Sequence, residues 1–128
     1  MQLPLVLALI VCDDVWTDLN SHKLSVLGVY GSLVLARDNP HISRLTVYTS
    51  LTECPAEFET KVRIVDVDDS HAPIAERIQK VQSPDPRGVL QGFFRFDDLV
   101  FRVQGEYRVQ LWACDELLLE RRLLVLLR

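Results

Sequence analysis

LPLVLALIVC, residues 3–12, runs ten positions without a charge and then gives way to DDVWTD. Three readings compete for it: an export signal, a membrane anchor, or a buried piece of the fold. A secretory signal needs a basic start and small residues before its cleavage point, yet the first Lys or Arg of the chain is Lys23. A membrane-spanning helix needs about 20 apolar residues, and this run stops well short. Ile10 and Val11 stand where a lipidated cysteine at position 12 would want small neighbours. What remains is a β-strand ending at Cys12, apolar on both faces and therefore expected to be buried on both. An unprocessed start, no membrane span and a cytoplasmic location go with that reading.

Outward from this run, the strand signal recurs. EFETKVRI (57–64) alternates strictly, with Phe58, Thr60, Val62 and Ile64 on one side and Glu57, Glu59, Lys61 and Arg63 on the other, the pattern of a half-buried antiparallel strand. RLTVYTSL (44–51) sets Leu45, Val47, Thr49 and Leu51 on one face and is rich in β-branched residues. EYRVQLWAC (106–114) opposes Tyr107, Val109, Leu111 and Ala113 to Arg108, Gln110 and Trp112. Gly28 and Gly31 interrupt LSVLGVYGSLVL (24–35), where glycine signals a bulge or a close backbone approach.

Two segments resist. DELLLERRLLVLLR (115–128) is built of strong helix formers, but its leucines would cover every side of a helical wheel and leave a greasy face in water. A strand after a tight turn at 114–117, pairing back on EYRVQLWAC, hides them better. IAERIQKVQ (74–82) spaces Ile74, Ile78 and Val81 as a helix would and is read here as a strand. Breaks at Asp38-Asn39-Pro40, Cys54-Pro55, residues 66–73, SPDPRG (83–88) and Gln104-Gly105 contain the residues that turns use. They leave little room for crossover helices. The expected architecture is all-β: one domain, residues 1–128, a single antiparallel, immunoglobulin-like β-sandwich of seven to nine strands.

Composition narrows the function. The chain has 128 residues, 48% of them hydrophobic and 25% charged, enough to build one core without staples. A net charge of −4 argues against a nucleic-acid surface, which needs clustered cations to displace counterions. Arg121 and Arg122 form the one dense basic spot, expected on a solvated face. Cys12, Cys54 and Cys114 are far apart and form no CxxC, as small hydrophobes in a reducing compartment would.

LALIVCDDVWTDLNSHKLSVLGVYGSLVL near the start and GEYRVQLWACDELLLERRLLV near the end, through Cys12, Asp13, Lys23, Leu24, Ser25, Gly28, Tyr30, Gly105, Glu106 and Tyr107, resemble a bacterial family of small β-sandwich proteins, immunoglobulin-like and catalogued as a domain of unknown function. The resemblance implies the sandwich fold and the strand reading of both ends. It implies no activity and no functional residues.

No catalytic residues and no cofactor are expected. Neither GxSxG, a papain-like cysteine nor HExxH is present, and His22, His41 and His71 fall in expected loops. The most suggestive polar group is DVDDS (66–70) with FDDLVF (96–101). Strand counting puts both at one end of the sandwich, where Asp66, Asp68, Asp97 and Asp98 could offer oxygen ligands to calcium. The same count puts Asp13-Asp14 and Trp16 at the opposite end. Trp112, on an expected outward face, is a candidate interface residue. The leading expectation is a non-enzymatic interaction or structural module whose partner is another protein or a second copy. The alternative is a ligand-binding sandwich, contacting membranes through calcium or sugars through exposed Trp.

Overall fold

A computed structural model describes residues 2–67 and 72–128. Nine strands form in chain order: β1 Leu5–Thr17, β2 Leu24–Val29, β3 Leu33–Leu35, β4 His41–Thr52, β5 Glu57–Asp66, β6 Ala75–Gln82, β7 Val89–Val100, β8 Gly105–Ala113 and β9 Glu116–Leu127. They make two sheets, β2-β1-β4-β7 and β3-β9-β8-β5-β6. The order β1-β4-β7 faces the order β9-β8-β5-β6 as strands A-B-E face strands G-F-C-C′ in immunoglobulin-type sandwiches, with β2 added at one edge.

The alternating segments supply the core as their period requires. Val47 of β4 lies between Val11 of β1 and Phe94 of β7, and Val62, Val109 and Leu111 answer from the opposite sheet. Each fully buried Val, Leu or Phe contributes about 1.5–3 kcal/mol. The leucine-rich tail is strand β9, paired antiparallel with β8, and residues 75–82 form the edge strand β6. Segment 24–35, continuous in sequence, is split. Its second half crosses to the other sheet as β3 and pairs parallel with β9, the one parallel pair among the described residues.

The opening run is a strand but not a doubly buried one. β1 begins at Leu5, continues past Cys12 to Thr17, and leaves Leu5 and Leu7 54% and 55% exposed. A register shift against β4 falls between Val6 and Ala8, at Leu7 itself. The reason is tertiary: among the described residues, no third layer lies over this end of the four-stranded sheet's outer face. Arg121 also departs from expectation. It is half-buried, and its Nη1 donates to the Leu9 carbonyl at 3.5 Å, while Arg122 stays exposed and pairs with Glu106 at 2.7 Å.

The β8–β9 hairpin turns one residue earlier than expected. Ala113 pairs with Glu116, and the two central residues, Cys114 and Asp115, both have positive φ, 53° and 62°. That is a type I′ turn, which favours Asn-Gly because L-residues with a Cβ resist this region. Replacing Cys114-Asp115 by Asn-Gly is therefore expected to raise stability by about 1–2 kcal/mol, read as a higher urea midpoint with an unchanged m-value.

Edges are treated unequally. β7 ends the four-stranded sheet, and β6 of the other sheet reaches over to it: Gln79 Nε2 donates to the Phe93 carbonyl at 2.8 Å and Arg77 Nε to the Arg95 carbonyl at 3.4 Å. Side chains thus occupy backbone acceptors that another strand could have used.

Candidate functional site

Four regions contain the polar and aromatic residues singled out from sequence. The first is a groove of about 780 Å3 at one end of the sandwich, lined among others by Asp66, Ile74, Asp98, Arg102, Val103 and Tyr107. It brings Asp66 and Asp98 together, as strand counting implied. Asp68 lies outside the described residues, as do Ser70 and His71. Asp97 is turned elsewhere, onto the outer sheet face beside Arg44 at 3.7 Å. Asp98 has φ 56° and bonds His41 Nε2 at 3.0 Å, so His41 starts a strand and holds a carboxylate rather than sitting in a loop. Among the described residues there is no group of three or more His, Cys, Asp or Glu side chains that could hold a metal ion.

The groove's floor is built by the β7–β8 connection. Tyr107, early in β8 and buried, donates its hydroxyl to the Val103 carbonyl at 2.5 Å and packs edge-on against Phe101, centroids 5.1 Å apart at 80°. This is the tyrosine corner of immunoglobulin-type sandwiches. Burial raises the Tyr107 phenol pKa.

The second region is the outer face of the five-stranded sheet. Trp112 projects outward as expected, half-buried, with Lys61 Nζ 4.9 Å from its ring centroid and its indole N–H donated to Gln110 Oε1 at 3.1 Å. Gln110 in turn donates to Glu120 at 3.0 Å, and Glu106 takes Arg108 and Arg122, each at 2.7 Å. The indole is thus one member of a bonded polar mesh. Trp16 belongs to the other sheet, so the two tryptophans share no face.

The outer face of the four-stranded sheet is the third region, and sequence reasoning missed most of it. Asp14 accepts from Arg95 Nη2 at 2.7 Å and from Arg44 Nη1 at 3.2 Å. Hydrogen bonding from Arg95 lowers the Asp14 carboxyl pKa. Because Arg44 also approaches Asp97, Asp14 and Asp97 lie together and not at opposite ends as the strand count implied. β1 runs on through Asp14, carrying it alongside β4 and across from β7. Arg95 stretches over Thr46, which is fully buried although it is an outward position. Beyond these charges the face turns apolar: Ile10, Tyr48 and Phe93 lie in one row, and Leu5 and Val89 flank Thr52 in another. Leu5, Leu7 and Val89 are each more than half exposed.

The fourth region is the β1–β2 hairpin. Tyr30 donates its hydroxyl to Asp13 Oδ1, and burial followed by this bond pushes the phenol up to about 12. Gly28, with φ 67°, lies directly under the Asp13 carboxylate; a Cβ there would stand 2.8 Å from Asp13 Cγ. A bulge or a close approach was the expected role of this glycine, and here it is a close approach by Asp13. Gly31 has open space around it.

A family profile described as a family of unknown function (DUF6941) matches residues 7–126. The chain belongs to that family. Both ends that carry the resemblance in sequence lie within the match, as do β2 through β8 in full. No curated protein matches the chain. Among solved structures it is similar to a glycosyl hydrolase family 2 member from Bacteroides cellulosilyticus DSM 14838, at 14% identity and a TM-score of 0.47, covering 79% of this chain and 17% of that one. A second structure of a glycosyl hydrolase family 2 member from Bacteroides cellulosilyticus, from microfluidic crystals, gives 14%, 0.46, 79% and 16%. The chain therefore spans about a sixth of the length of those proteins. No helix among the described residues is long and apolar enough to cross a membrane.

Proposed function

We propose that this protein is a non-enzymatic docking module that holds another protein against the outer face of its four-stranded sheet. The observation that carries the reading is the placement of Leu5 and Val89, large apolar side chains more than half exposed, on the same sheet face as Ile10 and Phe93, with Leu7 equally exposed next to Leu5 in the chain. Apolar surface gathered in this way, rimmed by the Asp14, Arg44, Arg95 and Asp97 charges, is the form that protein contact sites take.

The state of the reactive groups supports the non-enzymatic part. Burial, with the Asp13 and Asp14 carboxylates, raises the Cys12 thiol, and burial raises Cys54. Both are held as thiols and are poor nucleophiles. Asp14, Asp98 and Gln110 are engaged in bonds that hold strands together, and Tyr107 in one that fixes the β7–β8 connection. Three free cysteines suit a reducing compartment, and the cytoplasm is the location proposed.

The test is affinity capture with the wild-type chain and with Leu5→Glu/Leu7→Glu/Val89→Glu as bait. The replaced side chains are exposed, so the variant is expected to melt close to the wild type. A protein held by the wild type and lost from the variant is the expected result. Identical captured proteins from both baits would remove the sheet face from the reading.

A further inference from the structure

The four edges of the sandwich differ in how they meet water. β7 has its backbone acceptors taken by Gln79 and Arg77. β6 carries Glu76, Arg77 and Lys80, charges that deter a new strand. β3 is three residues long. β2, LSVLGV, has six residues, neither charge nor proline, and exposed Ser25, Leu27, Gly28 and Val29. Among the described residues this edge has neither charges nor covering side chains, and its one irregularity is Gly28, at φ 67°.

We propose that β2 is a self-association edge: two copies pair their β2 strands antiparallel about a two-fold axis, fusing the two four-stranded sheets into one of eight. A second copy is the occupant because the charges around β2 complement themselves. Lys23, immediately before β2, is the first cation of the chain, and the next is Arg37. It is exposed and makes no ion pair among the described residues. Asp13, beside the far end of β2, is exposed and takes a hydroxyl from Tyr30 but no cation. An antiparallel pairing centred on Val26 sets Lys23 of each copy opposite Val29 of the other, next to Gly28 and the Asp13 carboxylate above it. Asp13 then lies one strand further in, about 4.8 Å, within reach of a lysine side chain. The contact forms twice by symmetry. Leu24 of each copy meets Gly28 of the other, which places no side chain in the way, and Val26 meets Val26 on the axis.

This edge is separate from the sheet face proposed above as a docking surface, so the two ideas fail independently. Analytical ultracentrifugation of the full chain over a wide concentration range tests it, with Leu27→Lys, Lys23→Glu and Leu5→Lys compared by circular dichroism for an intact fold. The wild type is expected to dimerise. Leu27→Lys and Lys23→Glu each weaken the dimer about tenfold or more, by strand-edge charge and by charge reversal. Leu5→Lys leaves it unchanged. A wild type that stays monomeric at the highest concentration overturns the proposal, and so does a dimer that Leu27→Lys leaves intact or that Leu5→Lys dissolves.

Discussion

Tyr107→Ala is expected to cost about 3–5 kcal/mol, the range for deleting a buried aromatic side chain, and Tyr107→Phe about 1–1.5 kcal/mol, the net worth of one hydrogen bond. The gap between the two separates packing from bonding. Tyr107 fills the interior next to Phe101 at the point where the chain crosses from β7 in one sheet to β8 in the other. Its hydroxyl holds the Val103 carbonyl, four residues upstream, and so fixes the path of that crossing. Urea unfolding of both variants measures the two costs. If Tyr107→Phe proves as costly as Tyr107→Ala, the hydroxyl rather than the ring organises the corner, contrary to what its burial against Phe101 requires.

Gly28→Ala is expected to be the most damaging single methyl added to an edge strand, at about 2–3 kcal/mol. Two effects combine. A residue with a Cβ held at φ 67° pays about 1–2 kcal/mol for the left-handed region. The methyl also takes the space of the Asp13 carboxylate and so breaks its bond with Tyr30. A double-mutant cycle divides these terms. In an Asp13→Ala background the carboxylate is gone and the close neighbour that remains is the Cβ of residue 13, at 3.1 Å, so Gly28→Ala should cost little more than the backbone share. Equal costs in both backgrounds would show that the Asp13 approach contributes nothing.

The strands β4, β5 and β8 were readable because alternation of side chains is a local property. Phe58, Val62 and Ile64 or Leu45, Val47 and Leu51 declare one face within eight residues, and any fold that uses them must bury that face. Strand β9 was readable by exclusion, since leucines on all sides of a helix would have no place in a chain this small. Less legible was Arg121, whose inward turn depends on the carbonyl of Leu9, more than a hundred positions away in the chain. The Asp14, Arg44 and Arg95 cluster was hidden for the same reason: its members come from β1, β4 and β7, and only the strand order β1-β4-β7 makes them neighbours. Position 14 read in sequence as half of an acidic pair at the end of the sandwich opposite Asp97.

What the amino-acid order determined alone is the all-β class, the inward faces of the central strands and a bulge or close approach at Gly28, because each follows from period, composition or backbone freedom over a few residues. Tertiary structure decided the rest: that residues 24–35 divide between two sheets, that β6 side chains cap β7, and that Leu5 and Leu7 meet water instead of a third layer. Periodicity tells a strand which sides it has. Only the arrival of other, distant segments settles which of those sides is covered.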